Sequence, residues 1–260
     1  MDSNPAPLTE SRDARGAVTL TLNRPASFNA LSEEMLAALQ SALDRLAGDA
    51  SVRVVVLAAA GKAFCAGHNL KEMIARPSPD YYRKLFAQCS RMMLAIQKLP
   101  VPVIARVQGI ATAAGCQLVA QCDLAVASTD ASFAVSGVNY GLFCSTPSVA
   151  LLRNVPAKQA MEMLVTGDFI DARQAAERGL VNHAVAPDRL DAEVERLVAS
   201  IVAKPRIAIA MGKELFYQQR EMGTAAAYQL AGETMAVNMM DGCALEGVTA
   251  FTEKRQPKWT

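Results

Sequence analysis

An excess of charge of either sign is the first thing this sequence lacks. Its 260 residues carry 26 basic and 25 acidic side chains, a formal net charge of +1. Long-range attraction to a nucleic acid or another acidic polymer is therefore missing, and no such partner is expected. Histidine is scarce: the two present, His68 and His183, lie far apart in the chain. No two of Cys65, Cys89, Cys116, Cys122, Cys144 and Cys243 form a Cys-x-x-Cys pair. A metal site is therefore not expected. The thiols read as small core residues in a reducing compartment. No basic segment followed by an apolar stretch is visible near the N-terminus, so no secretory signal is read. The charge-free stretch Val107 to Cys122 is short and rich in Gly, Ala and Gln, whereas a membrane span takes about 20 apolar residues.

What is present is an ordinary globular composition, 52% apolar, in a chain long enough for a sizeable core. Residues 1–14 show no periodicity and read as a frayed leader. Val18, Leu20 and Leu22 alternate with threonines, as in a half-buried strand. Ser32 caps a helix whose first turn holds Glu33 and Glu34, where the helix dipole favours acids. Val52 to Ala58 reads as a buried strand, Gly61 to Gly67 as a loop, and Tyr81 to Leu99 as an amphipathic helix. Val101 to Val107 is a third strand, Ala113 to Gln121 a small-residue helix, and Leu124 to Ala127 a short strand. Such alternation argues for α/β architecture with parallel pairing. No repeat of fixed period is found. Beyond residue 147 strand signals fade. Asp171 and Gln174 form a capping box, and Gly179 suits a C-terminal cap. From Arg206 to Arg255 the chain reads as helices broken near Gly223 and Gly242. Met211, Leu215, Met235, Met239 and Met240 make them apolar on more than one side, as in a subunit interface or an internal helical layer.

Two small-residue loops each follow a buried strand, where α/β proteins usually bind ligands. The first is Lys62-Ala63-Phe64-Cys65-Ala66-Gly67-His68-Asn69-Leu70. The second is Gln108-Gly109-Ile110-Ala111-Thr112-Ala113-Ala114-Gly115-Cys116-Gln117. Small residues let backbone N–H groups approach a ligand, and two such groups can hold an oxyanion. Ordinary tight turns are the plainer reading of each loop alone.

Together with other elements, these loops resemble the crotonase, or enoyl-CoA hydratase/isomerase, superfamily. The series begins with Leu22-Asn23-Arg24-Pro25 and Asn29-Ala30-Leu31, then Phe64 to Leu70. Pro102-Val103-Ile104-Ala105 and Ala114-Gly115-Cys116-Gln117 follow, leading to Cys122-Asp123. Leu164-Val165-Thr166-Gly167, Ala175 to Val181 and Ala250 to Arg255 complete it. The resemblance implies an α/β crotonase (ClpP/crotonase-like) spiral of ββα turns over 15–195. It implies a helical trimerisation region over 196–260, hence a homotrimer or dimer of trimers. The implied ligand is an acyl-CoA or enoyl-CoA thioester, with no metal and no covalently bound cofactor. In a protein without a secretory signal, the expected location is a bacterial cytoplasm or, after import, the mitochondrial matrix.

The resemblance assigns the two oxyanion-hole N–H groups to His68 and Ala114, the latter where relatives usually carry glycine. A side-chain role for His68 is the alternative to its backbone role. Asn69, Leu70 and Lys71 are implied to line the pantetheine and adenine side. Arg24 and the turn from Ala26 to Phe28 resemble the nucleotide-contacting segment. Lys254 or Arg255 is implied to meet CoA phosphates. The two hydratase glutamates of the family fall on Gln117 and Gly137. Gln117 can orient a water but not take its proton, and Gly137 offers no group at all. Hydration is therefore doubtful, by the usual worth of such groups in acid–base catalysis. Asp123 reads as structural. Cys144 and Ser145 can be a nucleophile or the polar floor of an acyl pocket, with no activating base identifiable beside them. The alternatives to an enoyl-CoA hydratase-like enzyme are a non-catalytic acyl-CoA-binding or regulatory subunit, or another thioester reaction such as hydrolysis or decarboxylation.

Overall fold

The computed structural model describes residues 5–259. The chain opens on a hairpin, in which β1 (Leu8–Arg12) pairs antiparallel with β2 (Ala17–Leu22). This corrects the expected frayed leader over residues 1–14, of which 1–4 lie outside the described residues. β1 is a mostly exposed edge strand. It is held by its backbone rather than by an apolar face, so it leaves no pattern to read.

α1 (Glu33–Ala47) begins where Ser32 accepts a hydrogen bond from the Met35 N–H. The chain then winds through repeated turns, each laying one strand in each of two sheets before a helix. The first has β3 (Val54–Ala59), β4 (Ala63–Cys65), α2 (Leu70–Ala75) and α3 (Pro79–Lys98). The second has β5 (Val103–Val107), β6 (Ile110–Thr112) and α4 (Ala114–Gln121). The third has β7 (Leu124–Ser128), β8 (Ser132–Ala134), a 3-10 turn at Ser136–Tyr140 and α5 (Ser145–Leu152). α6 (Ala157–Thr166), β9 (Ile170–Asp171), α7 (Ala172–Glu177), β10 (His183–Val185) and α8 (Leu190–Val202) follow. The last elements are α9 (Arg206–Gln219), α10 (Thr224–Met239) and α11 (Gly242–Thr252).

The larger sheet runs β1-β2-β3-β5-β7-β10 and is parallel from β2 onward. The smaller runs β4-β6-β8-β9, with only β8 and β9 antiparallel. β3 is buried along its whole length. Val55 and Leu57 join the core that holds α1 and α3, while Val54 and Val56 meet Leu190, Val194 and Val198 of α8. Alternate residues of a strand face opposite ways, so β3 is covered by helices on both sides. α8 crosses residue 195 without a break. The expected boundary at 195/196 therefore cuts a helix that belongs to the core. The small sheet was unforeseen, because strands of two or three residues are too short to show alternation.

α9 is pinned by Lys213, one of the few buried polar side chains. Its ammonium donates to the Ile96 and Val101 carbonyls, both at 2.9 Å, and to Asp123 Oδ2 at 2.6 Å. Asp123 also accepts from the Val103 N–H and from Tyr217 Oη. The carboxylate thus ties α9 to the start of β5, the structural role expected of it. α10 buries no residue within the chain. No helix of the described residues is long and apolar enough to cross a membrane.

Candidate active site

The site begins in the turn after β2. Phe28 and Asn29 both adopt left-handed backbone angles, and the Asn29 side chain is completely buried. Its amide donates to the carbonyls of Ala60 and Ala63 at 2.8 and 2.9 Å and accepts from the Arg24 N–H. A buried amide with its partners in place fixes the turn. The turn in turn holds the first loop, through Ala66 N–H to the Phe28 carbonyl and Leu31 N–H to the Gly67 carbonyl.

The second loop lies directly on the first. A Cβ on Gly115 would fall 2.1 Å from the Cys65 carbonyl oxygen. Gly67, at φ +88°, faces Ala113 so closely that a Cβ there would sit 3.0 Å from the Ala113 methyl. Only glycine permits such backbone contact. Ala113 itself holds φ 51° and ψ −120°, a conformation that costs a residue with a side chain about 1–3 kcal/mol. It turns the chain into α4, leaving the Ala114 N–H at the helix start, where it has no intrahelical acceptor.

Both loops line one cavity of about 360 Å³. His68, Ala114, Gly137, Cys144, Ser145 and Leu70 all reach its wall. Gln117 is not on that wall: it is a buried residue of α4, 5% exposed, and its Oε1 has no partner. Gly137 lies against the chain ahead of it. A Cβ there would meet the Leu142 carbonyl oxygen at 2.3 Å and Cys144 Sγ at 2.8 Å. The Gly137 N–H donates to that sulfur at 3.3 Å. Burial pushes the Cys144 thiol up, against the opposing effect of this N–H. Ser145 Oγ turns back to the Phe143 carbonyl. Thr112 Oγ1 and Ser136 Oγ, both on the wall, share a 2.8 Å hydrogen bond.

The His68 ring packs against Phe86 with centroids 5.6 Å apart and planes at 63°. Neither ring nitrogen has a hydrogen-bond partner. Burial lowers the pKa of the imidazole, partly opposed by the backbone of Leu31. It stays neutral near pH 7.

Of the other expected contacts, Asn69 caps α2 by accepting from the Lys71 N–H and donates to Glu72. Arg24 pairs with Glu34 at 3.2 Å. Phe28 is exposed under the Lys62 ammonium, 5.3 Å from its ring centre. Ala26, Lys71 and Lys254 lie outside the cavity wall, and Arg255 is held by Glu246 and Glu253. Sequence reasoning missed the stitching role of Asn29 and the Lys213 clip. Asn29 was visible only as one letter of a motif, and a lysine inside a helix carries no signal at all.

Two sheets laid down by repeated ββα turns, with an apolar cavity lined by two glycine-dependent loops, define a crotonase-fold protein. The enoyl-CoA hydratase/isomerase family model matches residues 12–260, and the chain belongs to that family. It is similar to the mitochondrial enoyl-CoA hydratase domain-containing protein 3 of Xenopus laevis, at 45% identity over 98% of this chain and 86% of the relative. Its human counterpart is 44% identical over 100% of this chain and 85% of its own length. Among solved structures, an enoyl-CoA hydratase of Mycobacterium smegmatis is 68% identical. It has a TM-score of 0.97 and covers 98% of this chain and 99% of its own.

Proposed function

We propose that this chain binds an acyl-CoA or enoyl-CoA thioester, with the N–H groups of His68 and Ala114 receiving the thioester oxygen, and that it is a poor 2-enoyl-CoA hydratase. The family supports the CoA thioester as ligand. The apolar cavity with few polar groups suits an acyl chain. Backbone donors at a helix start stabilise an enolate or tetrahedral oxyanion at no cost in reorganisation.

The observation that carries the doubt about hydration is Gly137. Hydration takes one group to activate water and another to handle the C2 proton. Among the described residues no carboxylate lines the cavity, and the position that the resemblance assigns to one family glutamate has no room for a side chain. Two missing groups lower hydration on the order of 10⁴-fold or more. The engagement of the Ser145 hydroxyl with the Phe143 carbonyl and the protonated thiol of Cys144 favour a second reading, a binding or regulatory subunit without turnover.

A homotrimer or dimer of trimers belongs to the same proposal. It is supported by α10, α11 and the turn between them, where Tyr228, Met235, Met240 and Phe251 are exposed within one chain. The proposed location is a mitochondrial matrix, in line with relatives whose names print mitochondrial, or a bacterial cytoplasm.

A thermal shift with butanoyl-CoA and crotonyl-CoA tests the ligand. Saturation at 100 times the dissociation constant adds about 2.7 kcal/mol of stability, which raises Tm by several degrees. A melting temperature indifferent to both thioesters would contradict the proposal in either reading.

A further inference from the structure

Among the described residues, the cavity wall holds three titratable side chains and no carboxylate, lysine or arginine: His68, Tyr140 and Cys144. Tyr140 is 78% exposed. Cys144 is kept as the thiol by burial. His68 differs from both. Its ring is enclosed against Phe86, and both nitrogens are shut off from solvent without a partner. An unpaired buried polar group costs about 1–3 kcal/mol, so it calls for a reason. The Leu31 backbone acts on the ring but falls short of a hydrogen bond to either nitrogen.

We infer that the His68 imidazole is the proton-transfer group of this cavity, exchanging a proton with C2 of the bound acyl-CoA while the N–H of the same residue and that of Ala114 hold the enolate oxygen. The inference rests on the acyl-CoA reading above. The unprotonated ring nitrogen uses its lone pair to bond the C2 hydrogen. The C2–H electron pair becomes the C1–C2 double bond, and the carbonyl π pair moves to oxygen. Return of the proton reverses each step, so no oxidant, reductant or metal takes part. One residue thus carries the oxyanion donor on its backbone and the base on its side chain. The ring is turned onto Phe86, and reaching C2 takes a side-chain rotation. Catalytic contacts often close only when the substrate binds.

Deuterium entry at C2 of butanoyl-CoA in D₂O, followed by mass spectrometry, tests this. The wild-type chain is expected to catalyse exchange. His68→Phe and His68→Gln keep the backbone N–H, and both should lower the rate at least about 100-fold while binding butanoyl-CoA within a few-fold of wild type. The wild-type pH profile is an independent check. The elements around the ring present Phe86, Leu70, Met73, Thr112 and Ser136, none of them charged, besides Cys144 and Tyr140. Exchange should therefore hold level from pH 8 down to the usual imidazole value of about 6.5 and fall only below it. Binding without exchange, a wild-type rate in either variant, or a rate that falls already between pH 9 and 8, as for a thiolate base, would overturn the inference. A chain that binds no acyl-CoA overturns the reading beneath it instead.

Discussion

Gly137→Glu is expected to leave crotonyl-CoA hydration at background and to destabilise the fold by about 3 kcal/mol or more. The new Cβ meets the Leu142 carbonyl oxygen at 2.3 Å and Cys144 Sγ at 2.8 Å. Forcing atoms into a filled space typically costs about 1–3 kcal/mol. The carboxylate adds the cost of burial beside a carbonyl oxygen, with no cation on the cavity wall to pair with. Gly137→Ala separates the two effects, since it keeps the steric clash without the charge. Urea denaturation of the three proteins, with hydration measured on each, checks the prediction. A stable Gly137→Glu chain that gains hydration would show that segment 137–145 yields easily and that the missing acid is a matter of one side chain.

The second large effect lies far from the cavity. Lys213→Met is expected to cost about 3–5 kcal/mol, the usual range for removing one partner of a buried ion pair. Methionine keeps most of the volume but leaves the Ile96 and Val101 carbonyls without their donor and Asp123 without its cation. Tyr217 and the Val103 N–H still hold Asp123, so the loss stops short of complete unfolding. The double variant Asp123→Asn/Lys213→Met should lose less than the sum of the single losses, because the two residues share one interaction. Strict additivity in denaturant titrations would mean that the pair does not couple α9 to β5.

Much of this architecture could be read from the chain itself. β3 shows as an apolar run, α1 as a capped stripe, and the order of motifs names the family. The small sheet could not be read, because three-residue strands such as Ala63–Cys65 are held by their neighbours rather than by their own pattern. β1 stayed hidden for the opposite reason: its polar side chains face out while its backbone pairs with β2. At the site, glycine and alanine in the two loops signalled close approach, and the structure shows what approaches what. The order of motifs pairs Gln117 with a family glutamate, and the structure shows it as a buried residue of α4 itself. The packing of the His68 ring on Phe86 joins residues from a loop and a helix. No spacing in the chain encodes such a contact.

The most direct test of the central claim is crotonyl-CoA hydration, followed by loss of the enoyl-thioester absorbance, on protein shown in the same preparation to bind crotonyl-CoA. The account predicts saturable binding with turnover at background. Rapid hydration would contradict it, and would require an acid–base pair that this chain does not bring to its own cavity.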